Sequence, residues 1–262
     1  MNVAATVLDL IYPRSCACCG KPMGTEAMNI CWDCRAGFDF IAEPFCKLCG
    51  DPVDGMVEHE FLCSSCQDRR PHFVAARSAV RYRGDLRHAL WAFKYGGATF
   101  LDQDFGVLLA ACVRTHYPAV SFDAVVFVPL YPKRERERTY NQSRLLAAGV
   151  AGALGSPFLG GSLRRVRATR TQTDLTADQR RANVRGAFRA CNEDWLDGRT
   201  MLLVDDVMTT GATVNECAGA LKKAGAAGVY VVTVARGEEV HEGVIEAAIQ
   251  PAHVRDQTRF GR

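Results

Sequence analysis

The chain predicts an α/β fold: a parallel sheet with helices on both faces, preceded by a small cysteine-rich module. Three observations carry this expectation. An apolar run at residues 201–204 ends in two carboxylates, Asp205 and Asp206; a loop of small hydroxyl residues and one glycine follows, and then a helical pattern begins. Apolar strand-like runs alternate with helical periodicities from residue 77 onward, the signature of a parallel sheet covered on both sides. Eight of the twelve cysteines fall in four C-x-x-C pairs between residues 16 and 66.

Each element has its own justification. Residues 77–83 alternate as a strand, with Ala79 and Tyr82 among the less polar positions. Residues 85–95 place Leu86, Leu90 and Phe93 on one helical face, bounded by Gly84 and the Gly96-Gly97 pair. A Leu- and Ala-rich helix is expected over 101–117, an apolar strand over 123–128 halting at Pro129, and a helix over 141–154. A short helix at 180–184, the strand at 201–204, a helix at 214–224 and a strand at 229–235 complete the set. The expected division is a module at 1–70, an α/β domain at 71–236 and a tail at 237–262. Residues 67–71 would be the hinge. In the tail, Glu238, Glu239, Glu242 and Glu246 suggest an acidic helix.

Composition sets bounds. A chain of 262 residues with 48% hydrophobic content suits one sizeable domain plus a small module. Net charge is only +3, but residues 129–189 hold 13 Arg and Lys against 4 Asp and Glu, a local excess of nine. That is the scale phosphate-rich ligands need, although a solvated basic surface has the same composition. No apolar run reaches the ~18 residues of a membrane span. The first eleven residues lack a basic flank and carry Asp9, so no signal peptide is expected; Val3, Val7, Leu10 and Ile11 have the spacing of a short packing helix. The expected location is cytoplasmic, with reduced cysteines.

The pairs are Cys16/Cys19, Cys31/Cys34, Cys46/Cys49 and Cys63/Cys66, with glycine directly after the first and third. Glycine there permits a tight knuckle whose backbone N–H groups face the thiolates. Two pairs complete a tetrahedral Cys₄ zinc site, so about two structural zinc ions are expected. Joining successive pairs is the preferred reading, and an interleaved arrangement has compatible spacing. A disulfide framework is disfavoured without a secretion signal, and redox chemistry by four C-x-x-C copies with little α/β pattern around them. His59 could replace a thiolate. Cys112, Cys191 and Cys217 lie in apolar surroundings and read as core residues.

The acid pair and its loop carry the chemistry. A strand that turns into a helix through Thr209, Thr210, Gly211, Ala212 and Thr213 directs backbone N–H groups and hydroxyls at one spot, beside the positive end of a helix dipole. That is a phosphate cradle. Carboxylates one sugar's width away can accept hydrogen bonds from vicinal hydroxyls and help hold Mg²⁺. Ligands of parallel sheets bind beyond the strands' carboxyl ends, where residues 129–133 would also lie. Two further basic runs, residues 164–172 and 180–185, flank a stretch long enough to be a lid.

This stretch resembles the PRPP-binding signature of type I phosphoribosyltransferases. The resemblance implies that Asp205 and Asp206 contact the ribose 2′- and 3′-hydroxyls and serve catalysis, while residues 209–213 hold the 5′-phosphate. It implies that Lys133 and Arg134 hold pyrophosphate, with magnesium accompanying PRPP or ribose 5-phosphate. The wider layout resembles the ComF family: cysteine knuckles, Arg81-Tyr82-x-Gly84, Phe93-Lys94-Tyr95-Gly96, Val128-Pro129-Leu130, Arg136-x-Arg138-x-Tyr140-Asn141-Gln142 and Asn183-Val184-Arg185-Gly186-Ala187-Phe188. Membership implies a role in taking up and processing single-stranded DNA during natural transformation, with DNA-uptake proteins as partners. Arg136, Arg138, Asn141 and Gln142, expected to open the helix over 141–154, are then candidates for nucleic acid or pyrophosphate. Tyr131 and Tyr140 would offer stacking faces. Tyr140 departs from the family's frequent glycine. The alternative function is a salvage phosphoribosyltransferase acting on an unknown acceptor.

Overall fold

A computed structural model describes residues 14–24, 28–53, 55, 60–169, 176–191 and 193–237. The helix expected near the start, His59, residues 170–172 and the acidic tail from 238 lie outside the described residues.

Four parallel strands form the central sheet: β1 (Ala75–Arg81), β2 (Ala124–Phe127), β5 (Thr200–Met208) and β6 (Gly228–Arg236), in the order β1-β6-β5-β2. The inner strands β5 and β6 are nearly continuous apolar runs, as burial on both faces requires. On one face pack α3 (Leu86–Tyr95), α4 (Asp102–His116) and α6 (Gln142–Leu154), whose Phe93, Phe105, Leu109 and Leu146 meet Leu202 and Val204. The other face carries α7 (Ala177–Val184), the short α8 (Glu193–Leu196), α9 (Ala212–Lys223) and a two-stranded antiparallel ribbon of β3 (Leu163–Arg165) and β4 (Phe188–Ala190). The ribbon was not anticipated from sequence. Each of its strands has three residues, too few for period-2 alternation to show.

The cysteine module precedes the sheet and contains α1 (Trp32–Ala36) and α2 (Ser64–Asp68). Its two halves repeat one knuckle. Cys16 N–H donates to the Lys21 carbonyl and Gly20 N–H to the Cys16 carbonyl; Cys46 N–H donates to Asp51 and Gly50 N–H to Cys46 in the same way. Gly20 (φ +72°) and Gly50 (φ +67°) hold the left-handed conformation that these turns demand. At Gly50 a Cβ would also lie 2.5 Å from the Ala76 carbonyl oxygen, so glycine lets the knuckle close onto β1.

The module does not hang from a hinge. Cys16 and Ile30 belong to the same core as Phe93, and Cys46, Cys49 and Cys66 pack with Phe73 and Ala76. Buried Asp104 on α4 accepts the backbone N–H groups of Asn29 (3.0 Å) and Ile30 (3.1 Å). Arg236, at the end of β6, donates to the Cys49 carbonyl (3.0 Å) and pairs with Asp51 (2.9 Å). α2 occupies part of the stretch 67–71 that reads as a hinge in the sequence.

Candidate functional site

The four pairs of cysteines assemble successively: Cys16, Cys19, Cys31 and Cys34 form one cluster, and Cys46, Cys49, Cys63 and Cys66 the other. Within each, the sulfur atoms lie within 4.8 Å of one another. Zn–S bonds of about 2.3 Å put tetrahedral S···S edges near ~3.8 Å. The Cys19–Cys31 edge is 3.9 Å and the Cys49–Cys63 edge 3.6 Å. Cys31 N–H also points at the Cys16 sulfur (3.3 Å), as a knuckle amide should. Both clusters thus fit zinc, and the interleaved pairing is excluded. Cys18 stands outside the first cluster, buried in the core.

The acid pair lies inside a strand rather than at its end. Pro129 prevents β2 from continuing, and β2 pairs with β5 only as far as Phe127↔Val204. β5 runs on beside β6 through Asp205↔Thr233 and Met208↔Arg236. Its other edge is therefore open from Asp205 onward, and that notch is the crevice. Successive strand residues face opposite sides, so the two carboxylates meet different neighbours.

Asp206 is buried on the α3 side, where Lys94 Nζ sits 3.2 Å from Oδ1. Its Oδ2 is buried with no partner among the described residues. Burial alone would lower the Lys94 pKa, but the Asp206 and Asp205 carboxylates hold it above its ordinary value. Asp205 accepts the Ser143 hydroxyl (2.7 Å) and the Asp206 N–H (3.0 Å). Burial, and then repulsion from Asp206, push its carboxyl up to about 7, against the pull of Ser143 and Lys94. One carboxylate is thus neutralised by a fixed ammonium, and the other is poised to titrate near neutrality.

The loop beyond β5 turns at Gly211 (φ +74°), the N-cap of α9. The helix begins at Ala212, so Ala212 and Thr213 form its first turn rather than a loop before Val214. Both residues lie at the positive end of the helix dipole. Ala212 N–H meets the Thr210 hydroxyl at 3.3 Å. Thr209 packs against Gly237, where a Cβ would approach its methyl to 2.7 Å. Thr210 and Gly211 open onto a cleft of about 1150 Å³ between the second knuckle and helices α7 and α9, with Arg69, Arg70, Arg181 and Arg185 on its walls.

The basic segment after β2 is arranged differently from the sequence expectation. Lys133, Arg134, Arg136 and Arg138 all sit on a separate short helix, α5 (Pro132–Arg138), which Pro132 starts and left-handed Thr139 ends. Arg136 and Arg138 therefore do not open α6. Asn141 caps α6: its Oδ1 accepts the Ser143 and Arg144 N–H groups, and its amide donates to the Val128 carbonyl. Buried Asn141 thereby sets the position of Ser143 against Asp205, and Gln142 is buried beside it. Tyr140 is half-buried, its hydroxyl donating to the Phe93 carbonyl.

Three residues at the site were not singled out from the sequence: Lys94, Ser143 and Arg165. Arg165, on β3, stacks over Phe188 (5.3 Å) and donates to the Thr169 hydroxyl. Its pKa is lowered by burial and by Arg134 and Arg167, against the attraction of Cys217 and Asp205. Lys94 and Arg165 stand in motifs that were noted, but neither spacing nor composition says which face a helix or short strand turns to a sheet's end.

A parallel sheet with an acid pair inside β5 and a glycine-turned loop beyond it, with two cysteine tetrads docked on it, defines a phosphoribosyltransferase-fold protein with an N-terminal zinc-ribbon module. Domain models agree: a double zinc ribbon domain matches residues 7–67 and a phosphoribosyl transferase domain residues 137–246. The chain is 33% identical to competence protein F of Haemophilus influenzae over 198 residues, 74% of this chain and 85% of that one. It is 33% identical to DNA utilization protein YhgH of Salmonella typhimurium over 231 residues, 87% and 99% of the two chains. It is 27% identical to competence protein ComFC of Bacillus subtilis over 79% and 84%. The chain belongs to the ComF family. Among the described residues, no helix is long and apolar enough to cross a membrane.

Proposed function

We propose that this chain is a cytoplasmic DNA-uptake protein that binds PRPP and handles incoming single-stranded DNA. The names competence protein F and DNA utilization protein among its relatives favour the biological half of this reading. The carrying observation for PRPP is the notch itself: two carboxylates, one with a buried oxygen unpartnered among the described residues, beside a glycine-turned loop at a helix start.

In this reading residues 71–236 form the PRPP-binding domain and residues 1–70 the zinc module. Asp205 and Asp206 take the ribose hydroxyls; Thr209, Thr210, Gly211, Ala212 and Thr213 take the 5′-phosphate; Lys133 and Arg134 take the pyrophosphate. Lys94 neutralises Asp206, Ser143 orients Asp205, and Arg165 lends positive charge from β3. Mg²⁺ arriving with PRPP would be held by pyrophosphate oxygens and the acid pair, where it offsets the leaving group's charge. Arg136 and Arg138 engage nucleic acid phosphates or pyrophosphate. Calorimetric titration with PRPP, with and without Mg²⁺, tests the site: saturable Mg²⁺-dependent binding is expected, and its absence overturns the assignment. Base-dependent release of pyrophosphate would move the reading to a salvage enzyme.

A further inference from the structure

The faces expected to stack on bases were Tyr131 and Tyr140, yet Tyr140 is half-buried and tied to Phe93. The structure exposes other rings. On α3, Leu86, Ala89, Leu90 and Phe93 turn into the core, so the residues between them face outward. Trp91 is 61% exposed and Tyr95 56%. They stand one helical turn apart, with ring centroids 6.0 Å from each other and planes tilted by 46°. Exposed Arg87 lies one turn before Trp91. At the other end, the Arg138 guanidinium sits 4.5 Å above the Tyr95 ring and joins this stripe to basic α5.

Two large aromatic side chains adjacent on a solvent face need a reason, because burying them elsewhere would stabilise the fold. A protein partner would need acidic groups placed to meet the charges around these rings, whereas a nucleic acid strand brings a phosphate with every base. The charges beside the rings are Arg87 at one end, two residues after Asp85, and Arg138 at the other, from which α5 leads back through Glu137, Arg136, Glu135, Arg134 and Lys133. Aromatic faces in line with backbone-tracking cations are the arrangement that holds unpaired bases without reading their sequence. The arginine over Tyr95 leaves a flat cationic edge on which a further base can lie. The same helix presents Lys94 to Asp206, so a strand on this stripe would pass the mouth of the notch.

We propose that Trp91 and Tyr95, extended by Arg138, are the base-stacking platform for single-stranded nucleic acid. This rests on the nucleic-acid half of the function proposed above and assigns it a surface. The test uses the full chain as wild type, Trp91→Ala/Tyr95→Ala and Trp91→Phe/Tyr95→Phe. Labelled oligothymidylate and an abasic strand of equal length are the probes, read by anisotropy at low salt. Losing a stacked base costs about fivefold to 150-fold in affinity. The double-alanine variant should lose at least fivefold for oligothymidylate and little for the abasic strand, with PRPP binding retained. The double-phenylalanine variant should keep most of the affinity. Equal affinity of wild type and double-alanine variant for oligothymidylate overturns the platform while leaving DNA binding in place. No binding by the wild type overturns both.

Discussion

The Lys94 ammonium lies 3.2 Å from Asp206 Oδ1, with the lysine side chain 19% and the aspartate side chain 7% exposed. The pair joins α3 to the C-terminal part of β5, at the point where the sheet opens. It neutralises one of two adjacent carboxylates and fixes where the other must face. Removing the lysine alone leaves a buried charge without its partner. Lys94→Met should therefore destabilise the chain by about 3 kcal/mol, whereas Lys94→Met/Asp206→Asn should recover most of that loss. Denaturant melts of the four members of the cycle measure the coupling; additive losses would mean the pair contributes nothing as a pair.

Asp206→Ala should weaken PRPP more than inorganic phosphate, because the sugar contact goes and the loop of residues 209–213 stays. Competition titrations with both ligands decide this. Equal weakening of the two would remove Asp206 from sugar recognition.

The Asp205 carboxyl is pushed from 3.8 to about 7, and Asp206, Lys94, Ser143, Arg165 and Cys217 are the groups that face it. The folded chain keeps a proton that the unfolded chain releases, so stability falls as pH rises from about 4 to about 7 and then levels. Asp205→Asn should abolish that slope and raise stability at pH 8 by on the order of 1 kcal/mol. Thermal melts at pH 5 and 8 measure it. PRPP affinity should rise over the same range as Asp205 ionises, an effect absent from the variant.

Two zinc ions per chain are expected from metal analysis of the purified protein. Cys46→Ser/Cys49→Ser should retain one zinc and lower the melting temperature of the whole protein, because that knuckle packs with Phe73 and Ala76 against the sheet. A zinc-free preparation with its thiols oxidised would contradict the metal reading.

Single-stranded DNA affinity should fall steeply with salt, with a log–log slope of about −0.7 for each phosphate neutralised. Arg136→Glu/Arg138→Glu should reduce both affinity and slope, since both residues lie on α5. An unchanged slope would place the phosphate contacts elsewhere, as on the arginines of the cleft beside α7.

Much of this protein follows from causes local to consecutive residues. The run at 201–204 and the Thr-Gly loop specify strand, turn and helix start, because an apolar strand, a left-handed turn and a helix N-terminus are each local in cause. The C-x-x-C pairs specify two Cys₄ sites for the same reason, since ligand number and knuckle glycines are written in consecutive residues. The tertiary structure decided which cysteine pairs join and that the module shares the domain's core. It decided that β5 outruns β2, which opens the notch, and that Lys94 and Ser143 arrive there from two different helices. It also tied half-buried Tyr140 to Phe93 and turned Trp91 and Tyr95 outward. These relationships link residues distant in the chain, and they depend on which helix face meets which sheet edge. Periodicity shows that a face exists, but only packing shows what it meets.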